Sequence, residues 1–386
     1  PISLLTTPTN TALPPTGTPS PTITLTHTPR PPTLTPLPPT ITPTSTPSPT
    51  LTPPQPGRSG FPANSAVISA QNFSDLQILA QYQVAEDGVE AAALSFSPDG
   101  MQLAYATDFG ELGIWNVESG VISYTLSTTV DDQLVSTPRL AFAPPPGQYI
   151  AANGWAWLEE YGEYWNVVRH WDLLAEEISP LIFAGSSHWD KDGLAYSPDG
   201  LQLFVGAREG MGGGGSLKSY SIETGERIIN AGTDDWITAI VLSPDGGTVM
   251  GTSYGVVMLW DAETGNLQGS FPVTEGPLWG LSLSPIGRVL ATWGGSTVYL
   301  LDRFSGQVNY QLEGVEEIVG AAFIPSGRTL ISADGSTLRF WDVASYQLQT
   351  TLEMPAPILA LAVSPDGRAI AVGTSDGVVY LWGVLP

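Results

Sequence analysis

From about residue 66 onward, apolar side chains alternate with small or polar ones in short runs, and each run is closed by Pro, Asp, Gly, Asn or Ser. Alternation with a period of two sends successive side chains to opposite faces of a strand. Pro-Asp-Gly supplies the fixed φ and the positive-φ position that reverse a chain sharply. The stretch Ile237 to Gly265, ITAIVLSPDGGTVMGTSYGVVMLWDAETG, contains three such runs and predicts a strand meander.

The same grammar returns at FSPDG (Phe96 to Gly100), YSPDG (Tyr196 to Gly200), LSPDG (Leu242 to Gly246), LSPIG (Leu283 to Gly287), FIPSG (Phe323 to Gly327) and VSPDG (Val363 to Gly367). The turn prolines from Pro198 onward are spaced by 46, 41, 40 and 40 residues, the period of a four-stranded propeller blade. The interval from Pro98 to Pro198 is about twice as long, and FAPPPG (Phe142 to Gly147) sits inside it as a worn copy. Seven turns predict seven blades.

A second marker follows each turn: IWNVESG from Ile114, HWDLLAE from His170, YSIETG from Tyr220, LWDAETG from Leu259, LLDRFSG from Leu300, FWDVASY from Phe340 and LWGVLP from Leu381. With the blade period, the Trp-Asp pairs at 171/172, 260/261 and 341/342 make residues 66–386 resemble the WD40 repeat family, and the SPDG turns resemble its bacterial variants. The resemblance implies an all-β, seven-bladed propeller of four-stranded antiparallel blades, with the repeated Trp residues in the core. The Gly-His pair that opens many such repeats is missing, so the family's His-centred hydrogen-bond network is not carried over. Residues 66–84 read as strand before the first turn, while the last blade ends at LWGVLP one strand short. About 74–83 is therefore expected to close the ring as the outer strand of the last blade.

Composition changes abruptly before residue 58. Of the first 56 residues 18 are Pro and 18 are Thr, with no acidic or aromatic side chain and Arg30 as the sole charge. Such a segment has too little apolar surface to offset its ordering entropy and favours extended polyproline-like conformations. Residues 1–57 are expected to form a stalk and 58–65 a linker. The stalk resembles the O-glycosylated stalks of surface proteins, with Thr22, Thr24, Thr26, Thr42, Thr44 and Thr46 as candidate acceptors. Residues 22–26 alternate Thr with Ile and Leu like an edge strand, and packing against neighbouring copies in a filament or array is the alternative to a free tether.

The chain begins at Pro1, so a secretory signal or anchor is expected upstream. It has no run of eighteen apolar residues. It also has no Cys, which excludes disulfides, thiol catalysis and thiolate metal sites. These features predict an extracellular, bacterial-surface location. A net charge of −24 argues against nucleic acid and anionic lipid as partners and leaves cationic partners, divalent ions or neutral glycans.

The expected inner strands hold almost no ionisable side chain besides Arg139 and Asp192, so a polar catalytic constellation is not expected in the bore. Three histidines, His27, His170 and His188, cannot build repeated metal-binding rings, and His170 reads as packing. GMGGGGS (Gly210 to Ser216) lacks the Lys-Ser/Thr of a phosphate loop and reads as flexible.

Charge should differ between the two faces of the disc. Connections between blades carry Glu86, Asp87 and Glu90; Asp131 and Asp132; Asp190 and Asp192; Asp234 and Asp235; Glu275; Glu316 and Glu317; and Glu353. Arg288, Arg328 and Arg368 follow the repeat turns on the other face. Opposite charge would favour head-to-tail stacking of discs. The acidic ring offers oxygen ligands that could take Ca²⁺, but DKDG (Asp190 to Gly193) is too short for an EF-hand loop, and a solvated face is the plainer reading. No other cofactor is expected. The insertion GWAWLEEYGEYWNVV (Gly154 to Val168) carries Trp155, Trp157, Tyr161, Tyr164 and Trp165, candidates for a protein- or glycan-binding platform. Two readings follow. One is a non-catalytic extracellular structural or interaction module that binds other proteins or its own copies. The other is a glycan-binding or carbohydrate-active propeller using this hairpin with Glu159, Glu160 and Glu163.

Overall fold

The computed structural model describes residues 60–84, 90–108, 110–127, 136–158, 163–175, 177–178, 182–185, 193–209 and 214–386. They form seven antiparallel sheets, each built on a four-strand path. Blade one runs Ala91–Phe96, Gln102–Thr107, Glu111–Asn116 and Ile122–Ser127 from the inside outward. In blade two the outer strand is split into Glu177–Ile178 and Ile182–Gly185, both paired with Glu163–Asp172. First strands abut those of the next blade in order, and Ile358–Val363 of blade seven abuts Ala91–Phe96 of blade one. The sheets thus make a seven-bladed β-propeller.

Blade seven takes its fourth strand from the other end of the chain. Gln77–Gln83 pairs antiparallel with Val378–Gly383, from Gln77 opposite Gly383 to Gln83 opposite Val378. A short 3₁₀ turn, Phe73–Asp75, occupies the start of the range expected as strand. Tyr82 projects from this strand to pack, tilted, against Trp115 of blade one, so the closing strand fastens two blades. Within the expected linker 58–65, Phe61 and Ser65 are buried. Phe61 is 5% exposed and lies against Gly383, where any side chain would collide with it. Its N–H donates to the Val117 carbonyl at 2.8 Å, and Ala66 bridges to Val384. An aromatic side chain and a facing glycine turn a polar-looking stretch into part of the core.

The repeated turns are small hydrogen-bonded units. In the first, Ser97 Oγ donates to Asp99 Oδ1 at 2.6 Å, Asp99 Oδ1 accepts the Met101 N–H, and Gly100 adopts φ 71°. The turns also touch one another. A Cβ on Gly287 would stand 3.0 Å from Pro244 Cδ, and one on Gly147 the same distance from Pro98 Cδ. The series continues through Pro144 and Gly200, Pro198 and Gly246, Pro285 and Gly327, Pro325 and Gly367, and closes with Pro365 and Gly100. FAPPPG therefore occupies the second of seven equivalent places despite lacking Ser and Asp.

Third strands supply the core. Trp115, Trp171, Trp260, Trp341 and Trp382 are each no more than 9% exposed. Trp341 Nε1 donates to Ser332 Oγ at 2.9 Å. The residue after the tryptophan caps the next turn: Asp342 Oδ1 accepts the N–H groups of Ala344 and Ser345, and Asp261 Oδ1 those of Glu263 and Thr264. The Thr264 hydroxyl, with the backbone N–H groups, holds the Asp261 carboxyl below the usual range; at Asp342 desolvation is the largest single influence and raises the value, but the Arg328 bond and the turn N–H groups outweigh it and the net shift is downward. Asp in this repeat therefore terminates a strand and closes a turn. Gly214–Ser221 is a strand of blade three, so the last residues of the glycine run are paired rather than looped.

Candidate functional site

Two surfaces flank the ring. The turn face carries the SPDG-type turns and the turns capped by Asp261 and Asp342. The loop face carries the blade-to-blade connections and the turns between second and third strands. On the loop face these two elements are bonded together: Gly314 N–H donates to the Ser296 carbonyl at 2.7 Å and Ile318 N–H to Gly295 at 2.8 Å. The next blade repeats this with Met354 to Ser336 and Ile358 to Gly335, both at 2.7 Å.

Glu86, Asp87, Asp131, Asp132, Asp190 and Asp192 lie outside the described residues, as do Tyr161, His27, His188 and the candidate acceptors Thr22, Thr24, Thr26, Thr42, Thr44 and Thr46. Of the remaining acidic candidates, Asp234, Glu316 and Glu317 are exposed, as are Glu90, Glu275 and Glu353. Asp235 is half-buried, and its Oδ1 accepts the Trp236 N–H at 2.8 Å. Among the described residues no three His, Asp or Glu side chains come together in a way that could hold a metal ion.

The expected contrast of charge between the faces is not found. Arg288, Arg328 and Arg368 do lie on the turn face, but Asp99, Asp199, Asp245 and Asp366 share it. Arg288 is 3.2 Å from Asp302, and Arg328 2.7 Å from Asp342. Arg368 donates to the Ala63 carbonyl. The repeat places an acid in most of its turns, so the basic side chains are locally matched. That face instead exposes Met101, Leu174, Leu201, Ile286 and Phe304. Electrostatic head-to-tail stacking loses its basis.

Three guanidinium groups at the loop-face end of the ring escaped the sequence reading as functional elements, because each is defined by a neighbour on another strand or blade. Arg139, on the first strand of blade two (Ser136–Phe142), reaches across the ring to donate to the carbonyls of Trp279 at 3.0 Å and Thr238 at 3.4 Å, in blades five and four. Arg208 lies 4.9 Å over the Trp236 ring. Arg339 forms a two-pronged pair with Asp334, Nε to Oδ1 at 3.0 Å and Nη2 to Oδ2 at 3.3 Å. The bore is thus crossed by a side chain already committed to two carbonyls.

Asp334, 1% exposed, has a second task. Its Oδ2 also accepts the N–H groups of Val315 at 2.6 Å and Glu316 at 3.1 Å, fixing the connection between blades five and six. Next to this connection a cleft of about 530 Å³ opens, walled by Gly276, Trp279, Gly295, Glu316 and Glu317.

The aromatic insertion forms a ribbon of two ten-residue strands, Tyr149–Leu158 and Glu163–Asp172, longer than the six-residue strands of blade one. Trp155 pairs with Asn166, Ala156 with Trp165 and Trp157 with Tyr164. Alternation therefore assigns positions 155, 157 and 164 to one face and position 165 to the other. His170, on the same ribbon, is 4% exposed, with its ring 4.9 Å from Tyr149 and 6.2 Å from Tyr196. Burial lowers its pKa to about 4, with Asp172 opposing the shift. A ring so enclosed is a packing element.

No curated protein matches the chain. Residues 346–383, which run from the last turn of blade six through the third strand of blade seven, match the family model of the WD domain, G-beta repeat.

Proposed function

We propose that this protein is a non-catalytic interaction module, displayed outside a bacterial cell through its Thr/Pro-rich N-terminal segment and engaging a cationic protein surface through the loop face. One observation carries the reading. Glu275, Glu316, Glu317 and Glu353 stand exposed on that face without an ion-pair partner among the described residues, while Arg139, Arg208 and Arg339 are all engaged. Carboxylates left unmatched on a chain of net charge −24 set up a field that attracts basic partners and speeds their encounter. A bore crossed by Arg139 leaves the rim as the working surface.

The test is surface binding of the full chain to a panel of basic and acidic proteins over a salt series. Retention of basic proteins that weakens as salt rises is expected, together with surface labelling of the protein on intact cells. Equal affinity for acidic proteins would remove the reading. The overlong ribbon 149–172 favours a second reading, glycan binding through Trp155 and Trp157. Glycan-array signals abolished by Trp155→Ala and Trp157→Ala would select it.

A further inference from the structure

The cleft lies over the loop-face end of blade five, between the connections that enter and leave that blade. Its lining brings together Trp279, Gly276 and Gly295, and the connection bearing Val315, Glu316 and Glu317. That connection is held before any partner arrives. Asp334, clamped by Arg339, binds the N–H groups of Val315 and Glu316, and Gly314 and Ile318 bond to the neighbouring turn. Val315 is 79% exposed, a large apolar side chain that the fold itself does not use. Neither Glu316 nor Glu317 takes part in an ion pair among the described residues.

An aromatic side chain and two carboxylates without ion-pair partners among the described residues, lining one cleft, suit one chemical group above others. A guanidinium can stack on the indole while its N–H fork meets a carboxylate, whereas an ammonium does only part of this. The molecule already makes such a stack next door, where Arg208 covers Trp236 and the Trp236 and Trp279 rings lie 6.2 Å apart. An open cleft of about 530 Å³ has room to admit a side chain. We infer that this cleft is the specific pocket of the loop face and receives an arginine side chain from a partner protein, with Trp279 stacking on the guanidinium, Glu316 and Glu317 pairing with it, and Val315 contacting apolar residues beside that arginine.

The inference rests on the reading of the loop face as a surface for cationic partners, and its experiment separates the two. The probe is a blocked peptide with one central Arg flanked by Leu and Gly, and its Lys counterpart, titrated calorimetrically into the full chain. The Arg peptide is expected to bind more tightly than the Lys peptide. The pair Glu316→Gln and Glu317→Gln is expected to weaken it about tenfold or more, in line with the loss of charge-assisted hydrogen bonds. Gly276→Val should have a comparable effect by filling the cleft, since nothing lies within 4 Å of a Cβ there and its φ is not in the left-handed region. Asp234→Asn with Glu90→Gln, exposed acids elsewhere on the same face, should leave binding within about twofold. If the cleft variants and the control pair weaken the peptide equally, or if Lys binds as well as Arg, the pocket is refuted and the general acidic surface survives. If neither peptide nor basic proteins bind the unaltered chain, both readings fall.

Discussion

The Tyr82 ring lies 4.5 Å from that of Trp115, and Trp115 in turn lies 4.4 Å from Tyr105. A side chain from the strand that completes the last blade is thus held in the aromatic cluster of the first. Burial pushes the Tyr82 phenol up to about 12, as expected for a hydroxyl in apolar surroundings.

Tyr82→Ala removes both the ring contact with Trp115 and the packing it fills. A loss of about 3 kcal/mol in unfolding free energy is expected, with hydrogen-exchange protection falling first in 77–83 and 378–383. Tyr82→Phe keeps the ring and should cost less than about 1 kcal/mol, because the bond from its hydroxyl to the Val117 carbonyl is 3.3 Å long. Chemical denaturation of the three proteins checks the order.

The contacts between turns predict a difference between two glycines of similar backbone conformation. Gly287 and Gly225 both have φ near 70°, but only Gly287 faces a proline of the preceding blade. Both Ala substitutions carry the strain of a positive φ, roughly 1 kcal/mol. Gly287→Ala should lose about 1 kcal/mol more, from the added crowding against Pro244. Equal melting temperatures for the two variants would show that the turns do not support one another.

His170 gives the protein a pH dependence of calculable sign. Its folded pKa, about 4, lies below the unfolded value of 6.5. The unfolded chain therefore binds the proton first as pH falls, and stability drops between pH 6.5 and 4, by up to about 3 kcal/mol, before this contribution levels off. His170→Phe should flatten the slope in that window. A steeper loss below about 3.8 should remain, from the turn carboxyls such as Asp342 whose folded values are depressed. Denaturation midpoints measured across the range report both.

Asp334→Ala leaves Arg339 unpaired at 14% side-chain exposure and frees the N–H groups of Val315 and Glu316. A loss of about 3 kcal/mol or more is expected, along with faster amide exchange at 315 and 316 specifically. The double variant Asp334→Ala, Arg339→Met should recover part of the stability but not the exchange protection of the connection.

Much of the propeller was legible because its markers are local. A Pro-x-Gly turn announces itself within five residues, and even FAPPPG keeps the Pro and Gly that meet their neighbours, though it lost the polar caps. The closing strand was visible as a deficit at one end matched by a surplus at the other. Phe61 was not, since only the facing Gly383 makes its burial possible. The cleft was half legible: Glu316 and Glu317 stood out as charges, but Trp279 did not, because its partners lie on adjacent blades. Arg139 stood out on its strand, yet nothing in the sequence tells that its acceptors are two carbonyls on the far side of the ring. The charge of the turn face was misjudged because counting Arg residues ignored the acids that each repeat adds beside them.

The hydrogen bond from Phe61 to Val117 lies where the described chain begins, next to the junction of blades one and seven. Any pull delivered through the N-terminal segment meets this clasp before it reaches the ladder formed by 77–83. The first part to yield to such a pull would be a hem stitched by a single aromatic residue and a few main-chain bonds.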